Sequence, residues 1–404
     1  MFFMDLGVEL GKEGNMIRQR WWCRCSEKRD IERSPVSELS DDLLIEIISR
    51  VPFKSTCCCK CVSTRWRDLV SHPDHRKKLP RSTLAGFFYP YYGPANLFHL
   101  SMRRPDYQSL SGNWCAQIDT SLSFISRYGT LEHLFDCCNG LLLCRRRMGT
   151  KPLTIGYGVC NPATETWVDV PVTSWSRDLW LVRLAFDPDI SSHFHVFEFA
   201  PAHVVDANPH GDHTHIKGVR IYSSKTGDWT HPLVWESPVS LKGVKGVFHM
   251  GLLYSITFDD FVVAVSLEGN CMAIRAPHST RGNANLYLSQ GQLHLVNNGA
   301  SELSVWALED SNTENWTLKH NVSHLQLLGT QYSMFAKYYR VVSIHPESDV
   351  IFLLCATSYG SALKLMSYEM GSRKLSPICD VEWCCTTPCF SYVPLFSESL
   401  ACGH

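Results

Sequence analysis

A repeated glycine pattern beyond about residue 85 limits the fold more than any other feature of the sequence. In each copy a glycine is followed directly by an apolar segment, as in Asn139-Gly140-Leu141-Leu142, Met250-Gly251-Leu252-Leu253 and Gln290-Gly291-Gln292-Leu293. Gly251 and Gly291 are 40 positions apart, which is within the length of one β-propeller blade. Short apolar runs separated by Gly, Asn, Asp and Pro are typical of strands joined by turns. The pattern predicts a large all-β domain over residues 85–400.

A second pattern joins a strand, a turn and a tryptophan. It ends at Trp167 and Trp229 and more loosely at Trp316, and the segment 365–375 repeats it without a tryptophan. We interpret Trp167 and Trp229 as side chains that fill the space between blades and contact no ligand. At roughly 40 to 50 residues per blade the domain is long enough for six or seven blades, and the uneven spacing leaves the number open.

Residues 135–190 carry the motifs of a known family. Cys138-Asn139-Gly140-Leu141-Leu142 is followed by Asn161-Pro162-Ala163-Thr164, then by Trp167 and by Leu184-Ala185-Phe186-Asp187-Pro188. This series resembles the F-box-associated domain of plant F-box proteins, which is related to kelch repeats. The resemblance implies a kelch-like β-propeller, and it weakens after residue 190.

The segment before this domain has helical periodicity. Ser40 can cap a helix, and Asp41 and Asp42 suit the first turn of that helix. Apolar residues then recur at three- and four-residue steps, at Leu39, Leu43, Leu44, Ile47, Ile48 and Val51. Pro52 is expected to end this helix, and Ser55 or Thr56 to cap a second one. The apolar face of the second helix comprises Cys58, Cys61, Val62, Trp66, Leu69 and Val70. Helices this short are marginal alone in water, so their apolar faces need a partner.

The same segment resembles an F-box, the adaptor-binding motif of cullin–RING ubiquitin ligase substrate receptors. The matching positions are Leu39, Asp42, Leu43, Glu46, Ile47, Ile48, Arg50, Val51, Pro52, Ser55, Val62 and Trp66. The resemblance implies an F-box over residues 34–78 that binds a Skp1-type adaptor and, through it, cullin 1. The residues implied to contact Skp1 are Leu39, Leu43, Leu44, Ile47, Ile48, Val51, Pro52, Val62, Trp66 and Leu69. The chain is then an α+β multidomain protein, with a mobile extension at residues 1–33, a small helical F-box and a large propeller.

A cysteine-rich turn departs from the F-box pattern. Thr56 and the run of cysteines at 57–59 stand where larger side chains are common, and Thr64 replaces a usual lysine. Smaller side chains bury less apolar area, so we expect weaker adaptor binding. A helical hairpin docked on the propeller is the alternative. Consecutive cysteines point about 100° apart on a helix and lack the paired spacing of a zinc site, which favours core packing over metal binding.

The charge balance argues against several classes of partner. The 404 residues carry a formal net charge of −1, whereas a nucleic-acid or anionic-membrane surface needs a basic excess. No apolar run is long enough to span a bilayer, and the N-terminus lacks the pattern of a secretory signal. We therefore expect no nucleic-acid or membrane partner, a cytoplasmic and/or nuclear location, and 18 reduced cysteines.

No motif for catalysis or phosphate binding is found, so we expect no enzymatic activity, no cofactor and no metal. We interpret the polar segment with His203, His210, His213 and His215 as a loop. The cysteines near the C-terminus, at Cys379, Cys384, Cys385 and Cys389, lack a clean zinc spacing. The run of arginines at 145–147 is interpreted as a solvated turn, with a nuclear signal or a contact to an acidic partner as alternatives.

Together these patterns favour the substrate-recognition subunit of a Skp1–cullin–F-box (SCF) E3 ubiquitin ligase. The F-box holds the adaptor, and propeller loops hold an unidentified target protein, since recognition commonly lies on loops of a rigid scaffold. One alternative is a scaffolding or sugar-binding propeller that takes no part in ubiquitination. A kelch-type oxidase is the less favoured alternative.

Overall fold

The computed structural model describes most of the F-box segment and of the strand-rich domain. The described residues are 38–51, 53–60, 62–72, 75, 78, 83–91, 104–110, 121–148, 154–173, 182–201, 214–242, 245–277, 283–311, 314–329, 339–356, 363–381 and 389–396. The predicted extension at residues 1–33, Pro52, His203, His210, His213, Cys384 and Cys385 lie outside them. No helix among the described residues is long and apolar enough to cross a bilayer.

Three helices form the N-terminal unit, where the sequence predicted two. They are α1 (Asp41–Ser49), α2 (Phe53–Cys59) and α3 (Thr64–Ser71). Ser40 caps α1 as predicted, because its hydroxyl accepts from the N–H of Leu43. The predicted cap at Ser55 or Thr56 is wrong. The Thr56 hydroxyl instead donates to the Val51 carbonyl at 3.2 Å, while Ser63 caps a separate third helix.

A small apolar core holds the three helices together. Its buried members are Leu44, Ile45, Ile48, Leu69 and Val70, with Leu39, Cys59 and Trp66 packed at its margin. Burying such a side chain stabilises the fold by about 1.5–3 kcal/mol. The core therefore uses one side of α1 and the C-terminal half of α3.

Six sheets form the large domain, and we refer to each as a blade. Blade 1 begins with β1 (Gly86–Tyr91) and β2 (Arg104–Ser109). After a 3₁₀ helix (Ser123–Arg127), blade 2 contains β3 (Thr130–Cys138), β4 (Leu141–Met148), β5 (Thr154–Asn161) and β6 (Thr166–Val170). Blade 3 contains β7 (Val182–Ala185), β8 (His195–Pro201), β9 (Thr214–Ser223), β10 (Asp228–Trp229) and β11 (Leu233–Leu241).

The remaining blades repeat a four-stranded meander. Blade 4 contains β12 (Val247–His249), β13 (Leu252–Ile256), β14 (Phe261–Ser266) and β15 (Cys271–Arg275). Blade 5 contains β16 (Asn283–Ser289), β17 (Gln292–Asn298), β18 (Glu302–Asp310) and β19 (Asn315–Ser323), followed by α4 (His324–Leu328). Blade 6 contains β20 (Tyr339–Ile344), β21 (Val350–Ala356), β22 (Leu363–Glu369) and β23 (Lys374–Val381). The last strand, β24 (Phe390–Tyr392), returns to blade 1.

The first strands of blades 2–6 and β24 form a closed inner ring. Each contacts its neighbour in the order β24, β3, β7, β12, β16, β20 and back to β24. Blade 1 closes the ring because β24 pairs with β1, so that Gly86 lies opposite Tyr392. The predicted all-β propeller is confirmed, and its number of blades is six.

The repeated glycines have a common backbone reason. The turn between the first two strands has positive φ at both central residues in three blades, at Asn139 and Gly140, Met250 and Gly251, and Gln290 and Gly291. Two successive positive φ values define the type I′ turn, whose twist matches that of paired strands. Glycine adopts this conformation without a Cβ penalty. The sequence pattern therefore marks the first hairpin of a blade.

The tryptophans of the second pattern lie on the outer strands, where two of them join neighbouring blades. The indole N–H of Trp229 donates to the Pro171 carbonyl at 2.8 Å, and that of Trp316 donates to the Arg275 carbonyl at 2.9 Å. Trp229 therefore lies between blades as predicted. Trp167 packs at the margin of the apolar cluster that joins blades 1 and 2, and it also donates to Asp169 in its own strand and stacks on Tyr128.

The interpretation of residues 145–147 as a solvated turn is wrong. The three arginines lie within β4, and Arg145 and Arg147 both form ion pairs with Glu132 of β3. Arg146 is only 6% exposed and is held by Asp169, the Tyr128 carbonyl and the ring of Trp167. Local composition could not reveal these contacts, because each partner lies on another strand or segment.

Candidate functional site

An exposed apolar surface lies on the side of α1 that faces away from the helical core. Leu43 is 53% exposed and Ile47, one turn later, is 48% exposed. Val62, between α2 and α3, is 63% exposed. We call Leu43 and Ile47, which are one turn apart on α1, the exposed F-box surface. Exposed apolar groups of this kind mark interaction sites when they cluster.

The ten residues predicted to contact the adaptor fall into distinct environments. Leu43, Ile47 and Val62 are exposed, and Leu39, Val51 and Trp66 are half-buried. Leu44, Ile48 and Leu69 are buried in the helical core, and Pro52 lies outside the described residues. Ile45 is a core residue that the sequence pattern missed, because the helical face is wider than the three- and four-residue steps used to define it. Only the first group is fully placed to contact a partner, while the buried group supports α1 from behind.

Polar contacts connect the starts of α1 and α3. The Arg65 guanidinium donates to the Asp41 carboxylate at 2.9 Å and to the Leu39 carbonyl at 2.5 Å. These bonds place α3 against the N-terminal end of α1. The pair is separated by 24 positions, so no local sequence rule could find it.

The unusual residues of this segment also separate by environment. Thr56 is buried and its hydroxyl is satisfied by Val51, so it forms part of the interior. Cys58 and Thr64 are exposed. Burial and the neighbouring Cys58 raise the pKa of Cys59, so that this side chain is a neutral thiol. No group of three or more His, Cys, Asp or Glu that could hold a metal occurs among the described residues.

A second candidate surface is a cleft of about 310 Å³ between blades 5 and 6. Turns of both blades build it, and the Gln290 N–H donates to the Pro346 carbonyl at 2.6 Å across the blade boundary. Side chains that line the cleft include Gln290, His294, Lys319, His320, Asp349 and Met370. We call this the turn cleft. Sequence reasoning missed it, because its residues come from separate hairpins.

Hydrogen bonds fix most polar groups of the turn cleft. Gln290 donates to Asp349 at 2.7 Å, and Lys319 forms an ion pair with Glu309 at 2.8 Å. Burial lowers the pKa of His294, so its imidazole is neutral near pH 7. The cleft therefore combines fixed donors and acceptors with the apolar Met370.

Comparison with protein families assigns both parts of the chain. The F-box domain family matches residues 36–78. The family described as F-box protein At3g26010-like, beta-propeller, matches residues 113–380. The chain belongs to this family of F-box propeller proteins. Strands β1 and β24 lie outside the matched range, although they complete the ring. F-box proteins are generally non-catalytic adaptors, and an F-box domain generally implies a Skp1-type partner.

Plant F-box proteins are similar to the chain, one of them over most of its length. F-box protein At5g07610 of Arabidopsis thaliana is 25% identical over 375 residues, which covers 85% of this chain and 86% of that protein. F-box protein At1g30790 of Arabidopsis thaliana is 24% identical over 170 residues, covering 39% of this chain and 40% of that protein. The plant F-box resemblance seen in the sequence motifs is confirmed.

Proposed function

We propose that the chain is the substrate-recognition subunit of an SCF E3 ubiquitin ligase. The F-box binds a Skp1-type adaptor and, through it, cullin 1, and the propeller binds a target protein. Other subunits carry out ubiquitin transfer, so the chain itself performs no catalysis. The single observation that carries the proposal is the exposed pair Leu43 and Ile47 on α1, beside a buried core that holds this helix in place.

The exposed F-box surface has a reason to be covered. Leu43 and Ile47 each leave about half of an apolar side chain in water. Covering half of such a side chain contributes about 1 kcal/mol, and the two together about tenfold or more in affinity. The fold of the helical unit does not need these atoms, because Leu44, Ile45 and Ile48 already fill its core.

The residues that depart from the F-box pattern differ in whether an adaptor could contact them. Thr56 is internal, so it changes the core of the helical unit rather than the contact with the adaptor. Cys58 and Thr64 are exposed and offer little apolar area to a partner. We therefore propose that the chain binds its adaptor more weakly than an F-box with larger side chains at these positions.

Binding to purified Skp1 tests the adaptor role. The full chain carrying Leu43→Ala and Ile47→Ala is compared with the unsubstituted chain by copurification and by calorimetry. The matched control carries Ile190→Ala and Val234→Ala, which truncate two apolar side chains that are 70% and 65% exposed on the propeller. We expect Kd to rise by about tenfold or more in the first variant and to stay unchanged in the control. Equal binding by all three chains means that the adaptor role is wrong.

The turn cleft is proposed as part of the target-binding surface, and the cytoplasm or nucleus as the place of action. Proximity labelling with and without proteasome inhibition tests both statements. Targets are expected to be labelled in cytoplasmic or nuclear fractions and to accumulate on inhibition. Their labelling should be reduced by His294→Ala with Lys319→Ala, and retained by Leu43→Ala with Ile47→Ala. A target set that the cleft variant leaves unchanged contradicts the assignment of the cleft.

A further inference from the structure

The turn cleft offers a carboxylate that the described part of the chain does not neutralise. Asp349 lines the cleft and is exposed. The side-chain amide of Gln290 donates to one of its carboxylate oxygens at 2.7 Å. No cation among the described residues forms an ion pair with Asp349. Its second oxygen and its negative charge are therefore open to a ligand.

His294 supplies a second acceptor to the same cleft. Its Nδ1 lies 3.0 Å from the carbonyl oxygen of Gln292, and a carbonyl only accepts, so Nδ1 carries the proton. The side chain is 9% exposed, and burial keeps the ring neutral by lowering its pKa. Nε2 then holds a lone pair, and no residue that the structure describes donates to it. A ligand in the cleft therefore meets an acceptor at this ring.

The cation that lines the cleft already has a partner within the chain. The Lys319 ammonium forms an ion pair with one carboxylate oxygen of Glu309 at 2.8 Å, and the side-chain amide of Gln292 donates to the other oxygen at 3.2 Å. Arg373 lies two residues beyond Gly371 in the turn that borders the cleft, and it opposes a positively charged ligand. Among the charged side chains that line the cleft, the one without an ion-pair partner in the described residues is the carboxylate of Asp349.

An apolar wall accompanies these acceptors. Met370 lines the cleft, and its backbone N–H donates to the Asp349 carbonyl at 2.9 Å, which holds the two residues side by side. Lysine and arginine combine an apolar stem with a charged head, so this wall suits the stem and the acceptors suit the head. A volume of about 310 Å³ is at the small end of ligand pockets, which fits one such side chain rather than a large group.

We propose that the turn cleft binds a basic side chain, an arginine or a lysine, of the target protein, with Asp349 as its counter-ion and His294 as a second acceptor. The inference rests on the proposed function, because it takes the ligand to be a segment of the target. Hydrogen bonds between charged groups are about twice as strong as those between neutral groups, so the charge of the side chain decides its selection. Arg373 limits the affinity.

Peptide binding to the purified full chain tests the proposal. Four fluorescent peptide libraries carry arginine, lysine, citrulline or glutamate at the central position and uncharged residues elsewhere, and fluorescence anisotropy measures their binding. Asp349→Asn removes the negative charge and keeps an oxygen acceptor for Gln290. Asp259→Asn, in the exposed part of the turn between β13 and β14, is the matched control for loss of one carboxylate. His294→Leu removes the second acceptor.

We expect the arginine or lysine library to bind about threefold or more tightly than the citrulline library, and the glutamate library to bind most weakly. Asp349→Asn should abolish this preference, and Asp259→Asn should preserve it. His294→Leu should weaken the arginine and citrulline libraries alike, because both side chains donate. Equal binding of all four libraries, or an unchanged preference in the Asp349→Asn chain, overturns the proposal. If the His294→Leu chain fails to fold, the exposed Asp349→Asn substitution still decides.

The result can be separated from that of the proposed function. Peptide selection requires neither Skp1 nor ubiquitin transfer, so a chain that selects basic peptides but does not bind Skp1 contradicts the adaptor role alone. Targets whose labelling falls in the His294→Ala, Lys319→Ala chain, while the libraries show no preference, contradict the basic-side-chain proposal alone. N-acetyl-arginine amide serves as a competitor. If it binds as tightly as the arginine library, the cleft recognises a small basic molecule rather than a protein segment, and the proposal is overturned.

Discussion

The side-chain amide of Asn161 donates to the carbonyl of Leu395 at 2.8 Å, across a separation of 234 positions. Asn161 ends β5, and Leu395 follows the strand that closes the ring. The same side chain accepts from the N–H of Ala163 at 3.0 Å. One buried asparagine therefore shapes a turn of blade 2 and holds the C-terminal segment against it.

Replacing this asparagine should loosen the closure of the propeller. Asn161→Ala removes both bonds and leaves the half-buried Leu395 carbonyl without its donor, so we expect a loss of about 1–3 kcal/mol in the free energy of unfolding. Urea denaturation followed by tryptophan fluorescence measures the change. Asn270→Ala, at an exposed position of blade 4, is the control and should change stability by less than about 0.5 kcal/mol. Equal stability of the two variants contradicts the prediction.

Two equivalent glycines should respond differently to alanine. Gly140 and Gly251 have φ values of 86° and 80°, so alanine strains the backbone at both, by about 1–2 kcal/mol. A Cβ at Gly140 also meets the Val393 carbonyl at 2.6 Å and the Leu395 Cβ at 2.7 Å, whereas at Gly251 it meets nothing within 4 Å. We expect Gly140→Ala to cost about 1–3 kcal/mol more than Gly251→Ala in urea denaturation. Equal losses of stability in the two variants would mean that Val393 and Leu395 move away from the added Cβ at no cost, which contradicts the prediction.

Adjacent isoleucines on α1 should separate folding from adaptor binding. Ile48 is fully buried, so Ile48→Ala should destabilise the helical unit by about 2–5 kcal/mol. Ile47 is 48% exposed, so Ile47→Ala should leave stability within about 0.5 kcal/mol while it weakens Skp1 binding. Hydrogen exchange of the α1 amides in the free chain measures the first effect, and calorimetry with Skp1 the second. Similar exchange rates in the two variants are the result that contradicts this division.

Acid should destabilise the propeller. Burial lowers the pKa values of His195, His249, His294, His320, His324 and His345 from their usual 6.5. Below about pH 6.5 the unfolded chain therefore binds more protons than the folded chain, and stability falls as pH decreases. Burial raises the pKa of Asp136 to about 6, which acts in the opposite direction because the folded chain gains that proton first.

Urea midpoints at pH 7.5, 6.5 and 5.5 measure the balance of these two effects. The six histidines outnumber the one carboxylate, so the midpoint should fall across this range. Asp136→Asn removes the opposing contribution and should make the fall steeper. A midpoint that stays constant or rises on acidification is inconsistent with the neutral, buried histidines.

Local patterns predicted the parts of the fold that depend on local physics. Asn139-Gly140 and its counterparts were readable because two positive φ values favour glycine wherever they occur. Ser40 was readable because a cap satisfies N–H groups of its own helix. The break between α2 and α3 could not be predicted from the sequence. The apolar positions of the two helices are continuous in spacing, and nothing local distinguishes Ser63 from any other polar residue.

Contacts between distant segments could not be read in the same way. Residues 86 and 392 lie opposite each other, yet nothing in either neighbourhood specifies the other. The pairing of Arg146 with Trp167 and the assembly of the turn cleft depend on the ring being closed first. For the F-box, the periodicity identified the apolar residues of α1. It did not show which of them are buried and which are exposed, because this depends on where α3 packs.

Blade 1 combines strands that are far apart in the sequence, so its assembly depends on the order of synthesis. The F-box and β1 leave the ribosome early, whereas the strand that pairs with β1 is made about 300 residues later, at Phe390–Tyr392. At ordinary translation rates of about 5–20 residues per second this interval lasts roughly 15–60 seconds. During that time β1 lacks its inner neighbour while the F-box is already available. A product truncated before Phe390 would therefore display an F-box attached to an open ring, so the codons for Phe390–Tyr392 decide whether the ring of a nascent chain closes.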